Sequence, residues 1–332
     1  MKEWCGRVIA DSRRIAVPIM THPGIELCGY TVRQAVTDGE IHAKAIAELD
    51  RKYPAAASTV IMDLTVEAEA FGAEIIFEEN SVPTVTGRLV SDMSSVEALQ
   101  VPSLDCGRVQ EYLKANRLAA EYVKDKPVFG GCIGPFSLAG RLYDMTEIMM
   151  GIYIEPDTIR LLLEKCTAFI TEYIRALKGT GVNGVIIAEP AAGLISNEDC
   201  SQYSSVYIKR IVEELQDDSF MIVLHNCGNT GHCTAAMVET GAAGVHFGNK
   251  IDMVQALEEC PEDMVVFGNL DPVGVLKQAS AEEVRKEILY LLERTAGWKN
   301  FVLSTGCDVP PEIPSENIEA FYAALDEFNA GK

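Results

Sequence analysis

Apolar residues along this chain gather in short runs, separated by longer stretches where they recur every three or four positions. The runs are "STVIMDLT" (58–65), "AEIIF" (73–77), "PVFGGCIG" (127–134), "NGVIIAEP" (183–190), "FMIVLHNC" (220–227), "AGVHFGN" (243–249), "MVVFGNLDP" (264–272) and "FVLSTGC" (301–307). Runs this continuously apolar predict strands buried on both faces, as in a parallel sheet. Helical periodicity fills 157–178, 198–216, 230–240, 250–259 and 280–296. "TGVNGV" (180–185) and "TGAAGV" (240–245) each put glycine where a helix stops and a strand begins. About eight strands with helical crossovers predict an α/β fold, a (β/α)8 TIM-type barrel, with an open doubly wound sheet as the alternative. An N-terminal extension holds a helix near 31–52. Residues 78–108 fit the barrel poorly, and "EENSVPTVTGRLV" within them reads as a hairpin-like excursion. No low-complexity linker interrupts the chain, so residues 1–332 are expected to form a single barrel domain.

Composition narrows the class. The chain has 332 residues, 48% of them hydrophobic, which suffices for a large core. Its net charge is 28 − 49 = −21. Such a surface repels phosphate backbones and argues against a nucleic-acid partner, though not against small anions in a local pocket. No run approaches the roughly 20 apolar residues that span a membrane. The start, "MKEWCGRVIADSRR", lacks the apolar segment of a signal peptide, so a cytoplasmic protein is expected. Ten scattered cysteines then read as buried thiols or metal ligands rather than a disulfide framework.

Barrel active sites collect where strands meet the loops that follow them. The residues at those junctions include Asp63, Glu189, His225, Cys227, Asn269, Asp271, Cys307 and Asp308. In extended backbone, side chains at i and i+2 share a face, so His225 and Cys227 can reach one ion. Cys307 ends the last strand, 307 − 227 = 80 residues later, across the barrel mouth. Two thiolates and one imidazole suit a catalytic zinc, which commonly takes three protein ligands and keeps a fourth position open. The competing reading makes these ordinary buried residues. His232 and Cys233 read as packing. Glu189 is either an occupant of the metal's open position or a capping carboxylate. Asp308 either orients His225 or caps a turn. Asp63 and Glu67, at i and i+4, are polar substrate contacts or favour a helix N-terminus. The Gly-rich turn "GGCIGPF" (130–136), with Gly134, Pro135 and Phe136, either approaches a flat macrocycle or only serves the turn. The methionine-rich "YDMTEIMMG" (143–151) lines a cofactor face or packs the core. Asn269 and Asp271 are read as structural.

Several motifs carry a resemblance. "LHNCGN" (224–229), "FGNLDP" (267–272) and "STGCDVPPEIPSENIEAF" (304–321) resemble the uroporphyrinogen decarboxylase superfamily. Within it they look like the zinc-dependent methylcobamide:coenzyme M methyltransferases. The likeness extends through "DLTVEAEAFGAEIIFEENSVPTV" (63–85), "GCIGPFSLAGRL" (131–142) and "EPAAGLIS" (189–196). It implies a (β/α)8 barrel and zinc on His225, Cys227 and Cys307. Two departures separate the chain from the decarboxylase branch. The region "PIMTHPGIELCGYTVRQA" has only Arg33 where those enzymes carry an "RQAGR"-type motif, and "TGCDVPP" stands where they have a "GHG"-type turn. The implied reaction moves a methyl group from a methylcobamide, a corrinoid, to a small thiol such as coenzyme M. A separate corrinoid protein, visiting transiently, is the implied partner, and the resemblance allows a homodimer. A metal-free decarboxylase-like enzyme and a non-catalytic corrinoid-binding subunit are the alternatives. The sequence names neither the acceptor, which in relatives extends to a reduced folate, nor the original methyl donor.

Overall fold

The computed structural model describes residues 1–331. Its strands are β1 (Ser58–Thr59), β2 (Glu74–Ile76), β3 (Thr84–Thr86), β4 (Val128–Ile133), β5 (Gly184–Ala188), β6 (Met221–Asn226), β7 (Gly244–Phe247), β8 (Val265–Leu270) and β9 (Phe301–Thr305). Seven of them form one parallel sheet in the order β1-β4-β5-β6-β7-β8-β9. Helices such as Pro156–Gly179 and Ala281–Arg294 make the crossovers.

The sheet curls into a TIM-type barrel, and residues 15–19 of the N-terminal extension close it. Ala16 bridges Leu303 of β9 in parallel. The Val17 amide donates to the Leu303 carbonyl at 2.9 Å, and Leu303 donates to Ile15. On the other side, Ala56, just before β1, donates to the Ala16 carbonyl at 2.8 Å. Arg14 anchors this segment by donating to the carbonyls of Thr295, Ala296, Lys299 and Phe301. Pro18 has no amide to give, and the Ile19 amide donates to the Thr305 hydroxyl rather than to backbone. The closing strand is therefore irregular, which is why a pattern-based reading passes over it.

Residues 73–77 do not belong to the barrel. Glu74–Ile76 pairs antiparallel with Thr84–Thr86, so the excursion begins earlier than its sequence suggests. Glu74 and Ile76 are exposed and only Ile75 turns partly inward, the pattern of a ribbon with one wet face. The expected helix over 31–52 is broken in two at Asp38, whose carboxylate caps the second helix through Glu40 and Ile41.

Alternation sorts the strand residues between two cores. Val17, Ile19, Phe129, Ile186, Met221, Val223, Val265, Phe267 and Val302 point into the barrel. Their alternates, among them Val185, Ile187, Ile222, Leu224, Val266 and Leu303, face the helices. Helix Lys2–Ala10 stoppers the N-terminal end: Trp4 meets Phe129 edge-on at 6.1 Å, and Cys5 reaches Met221. The C-terminal end stays open. Among the described residues, no helix is long and apolar enough to cross a membrane.

Trp4 is the largest side chain of that stopper. Trp4→Ala should lower stability by about 3 kcal/mol through lost burial and a cavity at the barrel floor. Denaturant unfolding measures this; a change below about 0.5 kcal/mol, typical of a surface site, would show that the helix does not plug the barrel.

Candidate metal centre

In β6, Met221 and Val223 point inward, so His225 does too, one layer higher. The strand then turns sharply. Asn226 is buried, and its side-chain oxygen accepts from the amides of Gly228 and Asn229, both at 3.0 Å. This folds the backbone under Cys227 and holds its thiol beside His225. Gly248, after β7, lies against Cys227 so closely that a Cβ there would sit 2.7 Å from the Cys227 Cα. Cys307 follows β9 by two residues. The ligand atoms of His225, Cys227 and Cys307 all lie within 4.8 Å of one another. In a tetrahedral zinc site with bonds of about 2.0–2.3 Å, ligand atoms stand about 3.5–3.8 Å apart. Small side-chain rotations close that difference, and one nitrogen with two sulfurs is a donor set zinc favours. The residues fit the metal.

A hydrogen-bond chain sets which nitrogen His225 presents. Ser304 Oγ donates to the Val17 carbonyl at 2.7 Å, so its one proton is committed. It must therefore accept from His246 Nε2, 2.9 Å away. Burial and the neighbouring His225 ring hold the His246 pKa well below its ordinary value, so that ring is neutral. A neutral ring protonated on Nε2 accepts at Nδ1. His225 Nδ1, at 2.7 Å, then carries the donated proton. What remains is the lone pair on His225 Nε2, the form a metal requires.

The two thiols share a proton. Cys227 is drawn down to about 7, chiefly by the hydrogen bond from Cys307. Cys307 is pushed up by that same bond and by burial. Cys227 is thus the readier of the two to ionise, and a bound dication would deprotonate both.

The remaining candidates separate clearly. Asp63 lines the cavity over this cluster, but its oxygens are occupied. Oδ1 accepts from the Thr65 amide and hydroxyl, at 3.0 and 2.7 Å, and Oδ2 pairs with Arg108. Arg108, which a pattern-based reading passes over, also pairs with Glu69 at 2.6 Å. Glu67 is buried; Oε1 accepts from the Ile133 amide and Oε2 has no partner. Burial raises its pKa to about 8. Glu189 does not stand with the clustered His225, Cys227 and Cys307. Its carboxylate accepts from the amides of Phe136 at 3.1 Å and Ser137 at 2.5 Å, at the N-terminus of helix Pro135–Tyr143. Burial first of all raises it to about 7.

This corrects the reading of the Gly-rich turn. A Cβ on Gly134 would meet Glu189 Oε2 at 2.3 Å, so its close approach serves that carboxylate and not a macrocycle. Pro135 and Phe136 are fully buried beside it. Asp308 does not support His225 either: it accepts from Thr21 and faces His22 at 3.7 Å. His246 occupies that place. Its signal lay in "AGVHFGN", where it shares inward parity with the strand's position 244. Asn269 and Asp271 bind nearby backbone, and Cys233 is packed in the core, as their structural readings expected.

The cavity has a volume of about 420 Å³, the size of a small-ligand site. His225, Cys227 and Cys307 form one wall. The excursion contributes Asn80 to Pro83, and the segment after Cys307 contributes Val309 to Pro311. Arg141 is the one lysine or arginine in its lining.

A family description of uroporphyrinogen decarboxylase (URO-D) matches residues 9–328. The chain belongs to the uroporphyrinogen decarboxylase family. Within that family, it is 31% identical over 304 residues to the protein named methylcobamide:CoM methyltransferase MtbA of Methanosarcina mazei, covering 87% of this chain and 88% of that one. It is 25% identical over 287 residues to the uroporphyrinogen decarboxylase of Legionella pneumophila, covering 84% and 80%. A solved methyltransferase from Methanosarcina mazei superposes with a TM-score of 0.88 at 25% identity, over 97% of both chains. The barrel expected from the sequence is the fold of these relatives.

Two outcomes follow from this geometry. His246→Phe keeps a ring against Phe267 but removes the bond to His225. Zinc affinity, measured by competition with a chelating dye, should fall about 10- to 100-fold; unchanged affinity would show that the chain through Ser304 does not set the ligand. The second concerns pH. Glu67 is raised from 4.5 to about 8, so the native state holds its proton more tightly than the unfolded chain. Its stabilising effect is complete below about 4.5 and is lost as pH rises through about 8. Glu67→Gln should flatten that decline in denaturant titrations, and an equal slope in both proteins would contradict it.

Proposed function

We propose that this protein is a methyltransferase that moves a methyl group from a methylcobamide to a small thiol, with coenzyme M as the leading acceptor. Residues 1–332 act as one domain in this reading, and His225, Cys227 and Cys307 hold zinc. The observation that carries it is the cluster of one imidazole and two thiols in the wall of a small-ligand cavity. The MtbA relatives support it by name, and at higher identity than the decarboxylases.

Zinc bound there supplies one thing, a substrate thiol held as its thiolate at neutral pH. The chain's own residues do the rest. Val17, Ser304 and His246 fix His225 with its proton on Nδ1. Asn226 and Gly248 hold Cys227 in place. Val82, Pro83, Val309, Pro310 and Pro311 give the cavity an apolar rim that keeps water from the sulfur. The acceptor sulfur attacks the methyl carbon in line with the bond to cobalt. A carbon–sulfur bond forms, the carbon–cobalt bond breaks, and its electron pair leaves on Co(I). A cavity this small takes the thiol but not a whole corrinoid. The macrocycle therefore lies across the mouth, presented by a separate corrinoid protein that binds and leaves.

The decarboxylase reading fits less well. A porphyrinogen presents several carboxylates, and the cavity offers a single arginine.

Purified protein should carry about one zinc for the one three-ligand cluster among the described residues and transfer methyl from methylcobalamin to 2-mercaptoethanesulfonate, read by the appearance of cob(I)alamin. Cys307→Ser should lose most of its zinc and its transfer activity together while retaining its helical circular dichroism. Full transfer by zinc-free protein, or normal zinc in the variant, would overturn the assignment.

A further inference from the structure

A second pair of thiols lies away from the cavity. Cys200 ends helix Asn197–Cys200, in the segment after β5, where a π-helical turn, Ser201–Ser205, begins. Such turns mark functional positions more often than chance. Cys233 precedes helix Thr234–Val238, in the loop after β6 that also carries Cys227. The two segments are joined on both sides of the pair. Asn197 Oδ1 accepts from the Ala236 amide at 3.3 Å, and the Ser205 hydroxyl donates to the Ala236 carbonyl at 2.6 Å. The Cys233 thiol lies 3.5 Å from the Ile195 carbonyl oxygen and shares a hydrogen bond with the Cys200 thiol. Both cysteines are buried, yet each is followed or preceded by a residue that reaches solvent, Ser201 and His232. The shared hydrogen bond draws the Cys233 thiol below its ordinary range and pushes Cys200 up, with burial adding to the latter. Cys233 is therefore the readier nucleophile of the two.

A short path of hydrogen bonds joins Cys233 to the turn under Cys227. Asn229 Oδ1 accepts from the Cys233 amide at 3.0 Å. The Asn229 amide donates in turn to Asn226 Oδ1, the atom that folds the backbone beneath Cys227. We propose that Cys200 and Cys233 are a site of reversible oxidation, which a peroxide converts to a disulfide, and that this bond weakens the hold on zinc. The covalent part stands by itself; the effect on zinc rests on the metal reading of His225, Cys227 and Cys307. In the first step the Cys233 sulfur attacks a peroxide oxygen. A sulfur–oxygen bond forms, the oxygen–oxygen bond breaks, and the leaving hydroxide takes a proton to become water. Cys200 then attacks the Cys233 sulfur of this sulfenic acid, a sulfur–sulfur bond forms, and a second water departs. Two thiols and one hydrogen peroxide thus give one disulfide and two waters, and a small dithiol reverses the change by exchange. A disulfide holds its sulfurs about 2.05 Å apart, closer than any hydrogen-bonded pair. Forming it draws Cys233 toward Cys200, and Asn229 and Asn226 pass the movement to Cys227.

The test has two arms. In the first, the full-length protein, loaded with zinc, is treated with hydrogen peroxide, its free thiols are blocked, and peptide mass spectrometry maps the links. A Cys200–Cys233 link should form while circular dichroism stays native, and dithiothreitol should remove it. Cys200→Ser and Cys233→Ser should each fail to form it. This arm reads a covalent bond and needs neither zinc nor turnover, so its result is separate from the fate of the methyltransferase reading. In the second, zinc affinity is measured by competition with a chelating dye before and after oxidation. The linked protein should bind zinc about 10-fold more weakly, the low end of what disturbing a ligand's support costs, and dithiothreitol should restore it. Cys200→Ser should bind zinc as the reduced wild type does, before and after peroxide. Absence of the link in folded wild-type protein would overturn the proposal, as would a Cys227–Cys307 link in its place. So would unchanged zinc affinity in the linked protein, or an equal loss of zinc from peroxide-treated Cys200→Ser.

Discussion

The hydrogen bond between His246 and His225 ties the barrel's closure to its chemistry. An imidazole can place its proton on either nitrogen, and only one choice leaves a lone pair for a metal on Nε2. That choice is made at a backbone carbonyl, a group that can only accept. Val17 supplies it, and Val17 is held in place because residues 15–19 pair with β9 and with the approach to β1. From there the polarity runs through Ser304 and His246 to His225 without a branch. Each member belongs to a different strand or segment of the ring. The ligand's tautomer is therefore a property of the closed barrel, and a sheet left open between β9 and β1 would not define it.

A second constraint is charge. A site that activates an anionic sulfur works poorly beside free carboxylates, yet this chain has 49 acidic residues. Each carboxyl group near the cavity is neutralised in its own way. Asp63 faces Arg108 and Thr65. Burial raises Asp308, which accepts from Thr21. Burial pushes Glu67 and Glu189 toward protonation, and Glu189 also has the helix N-terminus against it. The carboxyl groups around the cavity thus differ from those of the acidic surface in being paired or buried. Arg141, also in the cavity lining, has no ion-pair partner among the described residues.

Much of this was legible in the apolar pattern. Seven of the eight predicted strands belong to the barrel, because a strand buried on both faces leaves a continuous apolar run. The eighth barrel strand hid behind Pro18, and its place in the count went to 73–77, an apolar run that builds a hairpin instead. The grouping of His225, Cys227 and Cys307 was legible because histidines and cysteines at strand ends are few. The residues that support it were less so. Asp308 follows a ligand in sequence but points to Thr21, whereas His246 lies 21 residues from His225 and touches it. Neighbours across a sheet follow from register, and register is fixed only once the strand order is known. Arg141 and Arg108 escaped for the same reason: helix periodicity says which face a residue takes, not which cavity or carboxylate that face meets.

The cluster also shows how two cysteines so far apart in the chain come to lie side by side. β6 and β9 are not neighbours in the sheet; β7 and β8 stand between them. In an open sheet, strands three places apart lie about 14 Å from each other, well beyond the reach of two cysteine side chains. An eight-stranded barrel has an interior only wide enough for side chains to fill, so residues in its top layer meet across the axis. His225 and Cys227 at the end of one strand and Cys307 at the end of another are brought within reach by curvature alone. The spacing H-x-C is then needed for a reason slightly different from strand alternation. His225 still belongs to the strand, but Cys227 has left it, turned back by the Asn226 side chain. The histidine takes its position from the barrel wall and the cysteine from the turn. One residue between them is the shortest separation that lets a rigid strand and a tight turn each hold one ligand.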